Sequence, residues 1–170
     1  MAEDLRLRDV DEADLETLYE QQLDQEAIRR STVPARDHEA FLHHWRTRIL
    51  AEPTVFVQAV TVDGDLAGSI VSWWAQPDRR FVGYWFDRRY WGRGIGTRAV
   101  RRFLEMDSVR PLYADPYVGN TASVRLLEKC GFRRDGSIWN DDTEYALMVL
   151  EPDDQHRTTY EESHGGEQMA

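Results

Sequence analysis

Cysteine is nearly missing from this chain: Cys130 stands alone, so an internal disulfide framework is excluded. Lysine is as scarce, and with Lys129 the single example the sequence lacks the G-x-x-x-x-G-K-[ST] phosphate loop of nucleotide kinases. No apolar run approaches the ~20 residues that span a bilayer; the longest, Val55-Phe56-Val57 and Ala146 to Leu150, stop far short. The amino terminus, Met1-Ala2-Glu3-Asp4, is acidic and has neither the basic nor the apolar region of a signal peptide. Five histidines form no H-E-x-x-H motif and no Cys/His cluster, so no metal site is expected. Positive charge is also in deficit. A formal net charge of −10 argues against a nucleic-acid partner, which needs a basic surface. By elimination, these absences predict a cytoplasmic protein that engages neither membrane nor nucleic acid; a monomer or a homodimer is expected.

A hydrophobic content of 41% is enough for a packed core, and the length suits one domain. The charge is unevenly spread. From Glu151 onward there are six acids and one arginine without apolar periodicity, which predicts a folded domain over 1–150 and an acidic, disordered tail over 151–170. Between Asp87 and Leu104 the balance inverts, with six arginines and a single acid. That patch suits a small anionic ligand such as a nucleotide phosphate; a solvated arginine-rich helix face is the plainer alternative.

Apolar spacing predicts a first strand at Leu5 to Arg8, a helix capped by Asp11 and a second helix after Asp37 that ends at Pro53. Thr54 to Val62, the Asp63-Gly64 turn and Leu66 to Trp74 read as a hairpin, and Phe81 to Phe86 as a further strand. A helix follows the glycines, with Ile95, Ala99, Val100, Phe103 and Leu104 on one face. A short strand from Pro111 to Asp115, a helix capped by Asn120 and stopped by Gly131, and a last strand from Thr143 to Leu150 complete the order. The predicted fold class is α/β (α+β), a mixed and mostly antiparallel sheet flanked by helices.

The most informative segment runs from Tyr84 to Thr97, where a strand meets Gly92, Gly94 and Gly96 and then a helix. Glycines let backbone approach a ligand closely, and a helix start offers unpaired N–H groups with partial positive charge, so the pattern suits a pyrophosphate. Two nucleotide-binding designs share it. Gly94-Ile-Gly-Thr-Arg-Ala99 satisfies the dinucleotide pattern G-x-G-x-x-A, with Asp115 in place for a ribose. Against an NAD-binding fold, 35 residues separate Asp115 from the tail, too few to finish a doubly wound sheet.

The second design is carried by two linked motifs. Trp91-Gly-Arg-Gly94-Ile-Gly96 is similar to the [Gln/Arg]-x-x-Gly-x-[Gly/Ala] loop of the GNAT superfamily of N-acetyltransferases. Asn120-Thr-Ala-Ser123-Val-Arg-Leu-Leu-Glu128-Lys-Cys-Gly131-Phe132 resembles that superfamily's N-x-x-S…E-K-x-G-F segment. The serine form and the Tyr90-Trp91-Gly92 lead-in resemble the branch of ribosomal-protein N-terminal acetyltransferases. Trp91 departs from the usual Gln or Arg, and Leu127 occupies the place where many relatives carry a tyrosine that protonates the departing thiolate.

The resemblance implies acetyl-CoA as acyl donor, with its pyrophosphate on the backbone of Trp91, Gly92, Arg93, Gly94, Ile95, Gly96 and Thr97, Arg93 adding charge. It implies pantetheine pairing with backbone groups of Tyr84, Trp85 and Phe86, an amide near Phe86 steadying the oxyanion. Asn120 would bond the cofactor as well as cap its helix, and Ser123 would donate to the leaving thiolate; for Ser123 a first-turn bond to backbone is the alternative. Acyl transfer needs a neutral amine, and Asp142 is the candidate base, with Asp141 and Glu144 as alternatives to it and proton loss to solvent as a further route. The acceptor implied is a primary amine, such as a protein N-terminus or a small cationic amine, acetylated in a ternary complex. A non-catalytic acyl-CoA-binding module is the rival in another class.

Overall fold

Val60 and Val62 face one side of β2 (Phe56–Val62) and Val57 the other, and this two-residue period splits the core between the two faces of a sheet. The computed structural model describes residues 2–153, so the predicted tail lies, beyond Asp153, outside the described residues. Seven strands lie in the order β1-β2-β3-β4-β5-β7-β6, where β1 is Leu5–Arg8, β3 Asp65–Gln76, β4 Arg79–Phe86, β5 Leu112–Ala114, β6 Arg133–Asn140 and β7 Thr143–Leu150. All neighbours are antiparallel except β4 and β5. A doubly wound dinucleotide sheet is parallel, so that alternative is set aside.

On one face, α1 (Leu15–Gln22) and α3 (His38–His44, continued by a π-helical turn Trp45–Ile49) pack Leu15, Leu18, Phe41, Trp45 and Ile49 over Val57 and Val71. On the other, α4 (Ile95–Met106) buries Ile95, Ala99, Val100 and Phe103 against Val60, Ile70 and Val82. Asp24 accepts from the Ala27 amide at 2.9 Å and starts α2 (Gln25–Ser31). Asn120 does the same for α5 (Thr121–Lys129), ended by Cys130 and by Gly131 at φ +97°. The helix α2 and the strand β6 have no counterpart in the sequence reading. Only Ala27 is buried in α2, and β6 is an edge strand whose residues, apart from half-buried Ile138, are exposed. Neither leaves an apolar period to read.

What positions the site is a gap in the sheet. β4 and β5 pair only at Arg80↔Leu112 and Phe81↔Tyr113, after which they part. β4 continues along β3, pressed so close that a Cβ on Gly68 would sit 2.1 Å from the Trp85 carbonyl. The chain after β5 leans the other way onto β7, with the Ala146 amide donating to Pro116 O at 2.9 Å and the Val118 amide to Glu144 O at 3.2 Å. The closed end of this V is pinned by a buried cluster. Arg80 donates from Nε to Asp107 at 3.0 Å, from Nη2 to Ser72 Oγ at 2.9 Å and from Nη1 to Thr54 O at 2.9 Å, while Ser72 bonds Asp107 as well. The Arg80 and Asp107 side chains are 5% and 6% exposed, so this pair is fully internal.

Candidate active site

The open end of the V meets the glycine segment. Asp87 starts a short 3-10 turn (Arg88–Tyr90), and Trp91 Nε1 donates to Phe86 O at 3.0 Å, fixing the exit from β4. Gly92 and Gly94 have φ of +71° and +74°, which L side chains rarely adopt, and a Cβ on either would meet nothing within 4 Å. Their conformation, with open space beside them, leaves the backbone accessible. The first intrahelical bond runs from the Arg98 amide to Gly94 O, so the amides of Ile95, Gly96 and Thr97 have no acceptor within α4. Gly96 serves another purpose. A Cβ there would lie 2.7 Å from Leu126 Cδ1 and 3.4 Å from the Phe86 ring, so glycine allows α5 to close on α4.

The arginine patch resolves differently from the anionic-ligand reading. Arg88 bonds Asp24, Arg89 bonds Asp87, and Arg93 pairs with Glu3 and lies 5.4 Å over Tyr90. Arg98 donates to Glu3 O, Arg101 to Lys129 O and Arg102 to Leu5 O. All six tie local structure together. The cations that line the cleft come from elsewhere: Arg30, stacked 4.7 Å over Trp91, Arg125 and Lys129. Arg30 carries no period or motif in the sequence, because its helix meets the loop only in three dimensions; Arg125 and Lys129 lie within the Asn120–Phe132 motif, whose pattern gives them no charge role.

The cleft in the V encloses about 780 Å³. Its walls bring together Tyr84, Trp85 and Phe86 of β4, Trp91, Gly92, Gly94, Ile95, Gly96 and Thr97 of the loop and α4, and Asn120 and Ser123 of α5. Arg93 and Asp142 are not among its lining residues. Trp73 also lines it, stacked on Phe81, whereas Trp74 is exposed. Tyr145, another lining residue, meets Thr32 Oγ1, just after α2, through its Oη at 2.7 Å. A side pocket of about 120 Å³ between α1, α3 and Trp85 shares Val33 with the cleft and has mostly apolar walls, Leu18, Pro34, Phe41 and Trp45 among them.

Asn120 Oδ1 accepts from the Ser123 amide at 3.3 Å, the expected cap. The Ser123 hydroxyl lies 2.6 Å from Tyr84 Oη. Burial pushes the Tyr84 phenol well above its ordinary range despite that bond. Leu127, 1% exposed, belongs to the core. Burial also pushes the Cys130 thiol up, away from nucleophile behaviour.

Among the carboxylates, Asp142 sits exposed in the turn between β6 and β7, beside Asp141 at φ +52°. Glu144 is taken up by Arg134 Nη2 at 2.8 Å and Ser137 Oγ at 2.6 Å. Asp115, at the end of β5, lines the cleft; the residue is exposed as a whole, yet protein packed near its carboxyl strips hydration and holds its pKa above the usual carboxylate range. In the sequence Asp115 stands out only as the ribose acid of the dinucleotide alternative; its place after a strand, shortly before the cap of α5, is its signal. Among the described residues no cluster of ligating side chains suits a metal, and no helix is long and apolar enough to cross a membrane.

The chain matches the acetyltransferase (GNAT) domain over residues 4–133. It is 32% identical over 88 residues to the probable N-acetyltransferase YjcK of Bacillus subtilis (strain 168), covering 44% of this chain and 48% of that protein. It is 34% identical over 62 residues to the type 1 aminoglycoside N(6')-acetyltransferase of Klebsiella pneumoniae, covering 34% of this chain and 31% of that protein. These alignments span half or less of the relatives' length. Among solved structures, aminoglycoside acetyltransferase AAC(6')-Ib in complex with coenzyme A superposes with a TM-score of 0.74 at 26% identity, covering 92% of this chain and 99% of that one. Spermidine N-acetyltransferase from Vibrio cholerae, in complex with CoA and spermine, shares the fold at 16% identity and a TM-score of 0.75, covering 86% and 95% of the two chains. With three quarters of its length matched by one domain family and the splayed sheet in place, the chain belongs to the GNAT acetyltransferase family.

Proposed function

We propose that this protein is an N-acetyltransferase that moves acetyl directly from acetyl-CoA to a primary amine bound beside it. The single observation that carries the reading is the V between β4 and β5, opening onto a glycine loop whose helix-start amides are free. A diphosphate fits there because Gly92 and Gly94 leave the backbone uncovered and α4 directs its positive end at it. Arg30, Arg125 and Lys129 take over the charge role that the sequence reading gave to Arg93. The edge of β4 from Val82 to Phe86, which β5 leaves unpaired and where Trp91 takes the Phe86 carbonyl, offers backbone groups to the pantetheine arm and an amide to the oxyanion.

Acetyl transfer forms the N–C bond, breaks C–S and removes one proton from the amine. Asp115 takes that proton, directly or through water, in preference to Asp142, because it lies in the cleft and its raised pKa makes it a stronger base than an ordinary aspartate. Ser123 donates to the departing thiolate. The acceptor is a protein N-terminus or a small cationic amine. Kanamycin, held with coenzyme A in a second AAC(6')-Ib structure, and spermine in the Vibrio cholerae complex favour the small amine, while Ser123 and the Tyr90-Trp91-Gly92 lead-in are what favour the ribosomal-protein branch. A cytoplasmic location is in keeping with the single cysteine.

Thiol release from acetyl-CoA across a panel of kanamycin, spermidine, benzylamine and short peptides tests the reading. Turnover with at least one amine is expected. Tight acetyl-CoA binding with no turnover for any class would replace it with the non-catalytic module.

A further inference from the structure

The Ser123 hydroxyl has one side-chain partner among the described residues, Tyr84 Oη at 2.6 Å, and no backbone carbonyl of its own helix receives it. Tyr84 comes from β4 and Ser123 from the first turn of α5, so the contact spans the V at the height where both line the cleft. Tyr84 Oη has a second neighbour, the Ser123 carbonyl, at the longer distance of 3.4 Å. A carbonyl only accepts, so two arrangements are available. In one, Tyr84 donates to the carbonyl and the serine hydroxyl donates to Tyr84. In the other, Tyr84 donates to Ser123 Oγ and the serine proton is free to turn into the cleft. Negative charge growing on a sulfur in the cleft selects the second, because only that arrangement aims an O–H at the charge and polarises it with another.

We propose that Tyr84 is the positioning residue for Ser123, holding its hydroxyl as a donor to the departing thiolate. The inference rests on the reading that Ser123 faces that sulfur. It gives this chain a substitute for the tyrosine absent at Leu127, supplied from the facing strand. Electron bookkeeping requires nothing further. The C–S pair goes to sulfur, the amine's proton leaves through Asp115 or solvent, and Tyr84 keeps its proton throughout. Burial favours the neutral phenol, in keeping with a donor that is never spent.

The test uses bound coenzyme A itself, so it needs no knowledge of the acceptor. The thiol of CoA in complex with the full chain is titrated by thiolate absorbance, with the desulfo-CoA complex as blank to cancel protein groups such as Cys130. Tyr84→Phe, nearly isosteric, is expected to weaken the bound thiol's acid constant about tenfold. Ser123→Ala should do at least as much, and the double variant should match Ser123→Ala alone, with CoA affinity and melting temperature little changed by Tyr84→Phe. A bound thiol unaffected by Ser123→Ala sinks the reading of Ser123. One shifted by Ser123→Ala but not by Tyr84→Phe, or shifted additively in the double variant, overturns the role of Tyr84 alone.

Discussion

Gly94 and Gly96 stand two residues apart and answer to different forces. Gly94 is held at φ +74° beside open space, whereas Gly96 is crowded by Leu126. Gly94→Asp should therefore raise the KM for acetyl-CoA by about tenfold or more, through backbone strain and repulsion of the diphosphate. Gly96→Val should instead act on stability, costing about 1–3 kcal/mol by overpacking, and Leu126→Ala should recover part of it. Thermal melts beside acetyl-CoA titrations separate the two; a Gly96→Val protein of unchanged melting temperature would contradict the packing role. Asp115→Asn should lower kcat/KM about 10²–10⁴-fold and flatten the acid limb of its pH profile. The sign follows from the base role: the carboxylate is the active form, so activity climbs as pH rises through a pKa held above the ordinary range. An unaltered pH profile in the variant would exonerate Asp115. At this scale the sequence was partly legible. Glycines announce themselves, but Asp115 and Tyr84 acquire meaning only from what folding sets opposite them, and Asp142 sits in a turn that sequence proximity alone could not place.

At the scale of elements, the buried Arg80–Ser72–Asp107 cluster joins β3, β4 and the end of α4 where the V closes. Desolvation raises the Asp107 pKa, but the bonds from Ser72 and Arg80 outweigh it and hold it below the usual carboxylate value. A depressed pKa contributes stability that is present above the unfolded carboxylate's pKa and lost as pH falls through the folded one. Acid unfolding should thus begin below about pH 4, and Asp107→Asn should reduce the slope of stability against pH there. Asp107→Ala leaves Arg80 buried without its partner and should cost about 3–5 kcal/mol in urea unfolding. A loss below about 1 kcal/mol would show that water reaches the arginine. Amphipathic elements were readable because burial imposes a period: α4 shows it in five buried residues. The edge strand β6 and the short α2 bury almost nothing and so left no trace.

For the whole molecule, the mixed layer follows from the order of elements, yet its most consequential property is the place where pairing stops. Two residue pairs join β4 to β5, and neither strand's composition announces that limit. The six arginines between Asp87 and Leu104 teach a related lesson. Their clustering is real, but the fold uses them to tie α4 and the loop to Glu3, Leu5, Asp24 and Lys129. Removing one, as in Arg102→Ala, should leave the KM for acetyl-CoA within about twofold and lower the melting temperature by a few degrees, about 1 kcal/mol for one hydrogen bond from an exposed side chain; a KM rise without destabilisation would restore the patch to ligand binding.

The gap between β4 and β5 passes through the sheet, so the cleft is walled on one face by Arg30 and Val33 and on the other by α4 and α5. A donor arriving from the helix-start side and an acceptor arriving past Val33 would each have a separate doorway, and neither need wait for the other to depart. Initial-rate plots against the two reactants should then intersect instead of running parallel, and desulfo-CoA should compete with acetyl-CoA while leaving the amine free to bind.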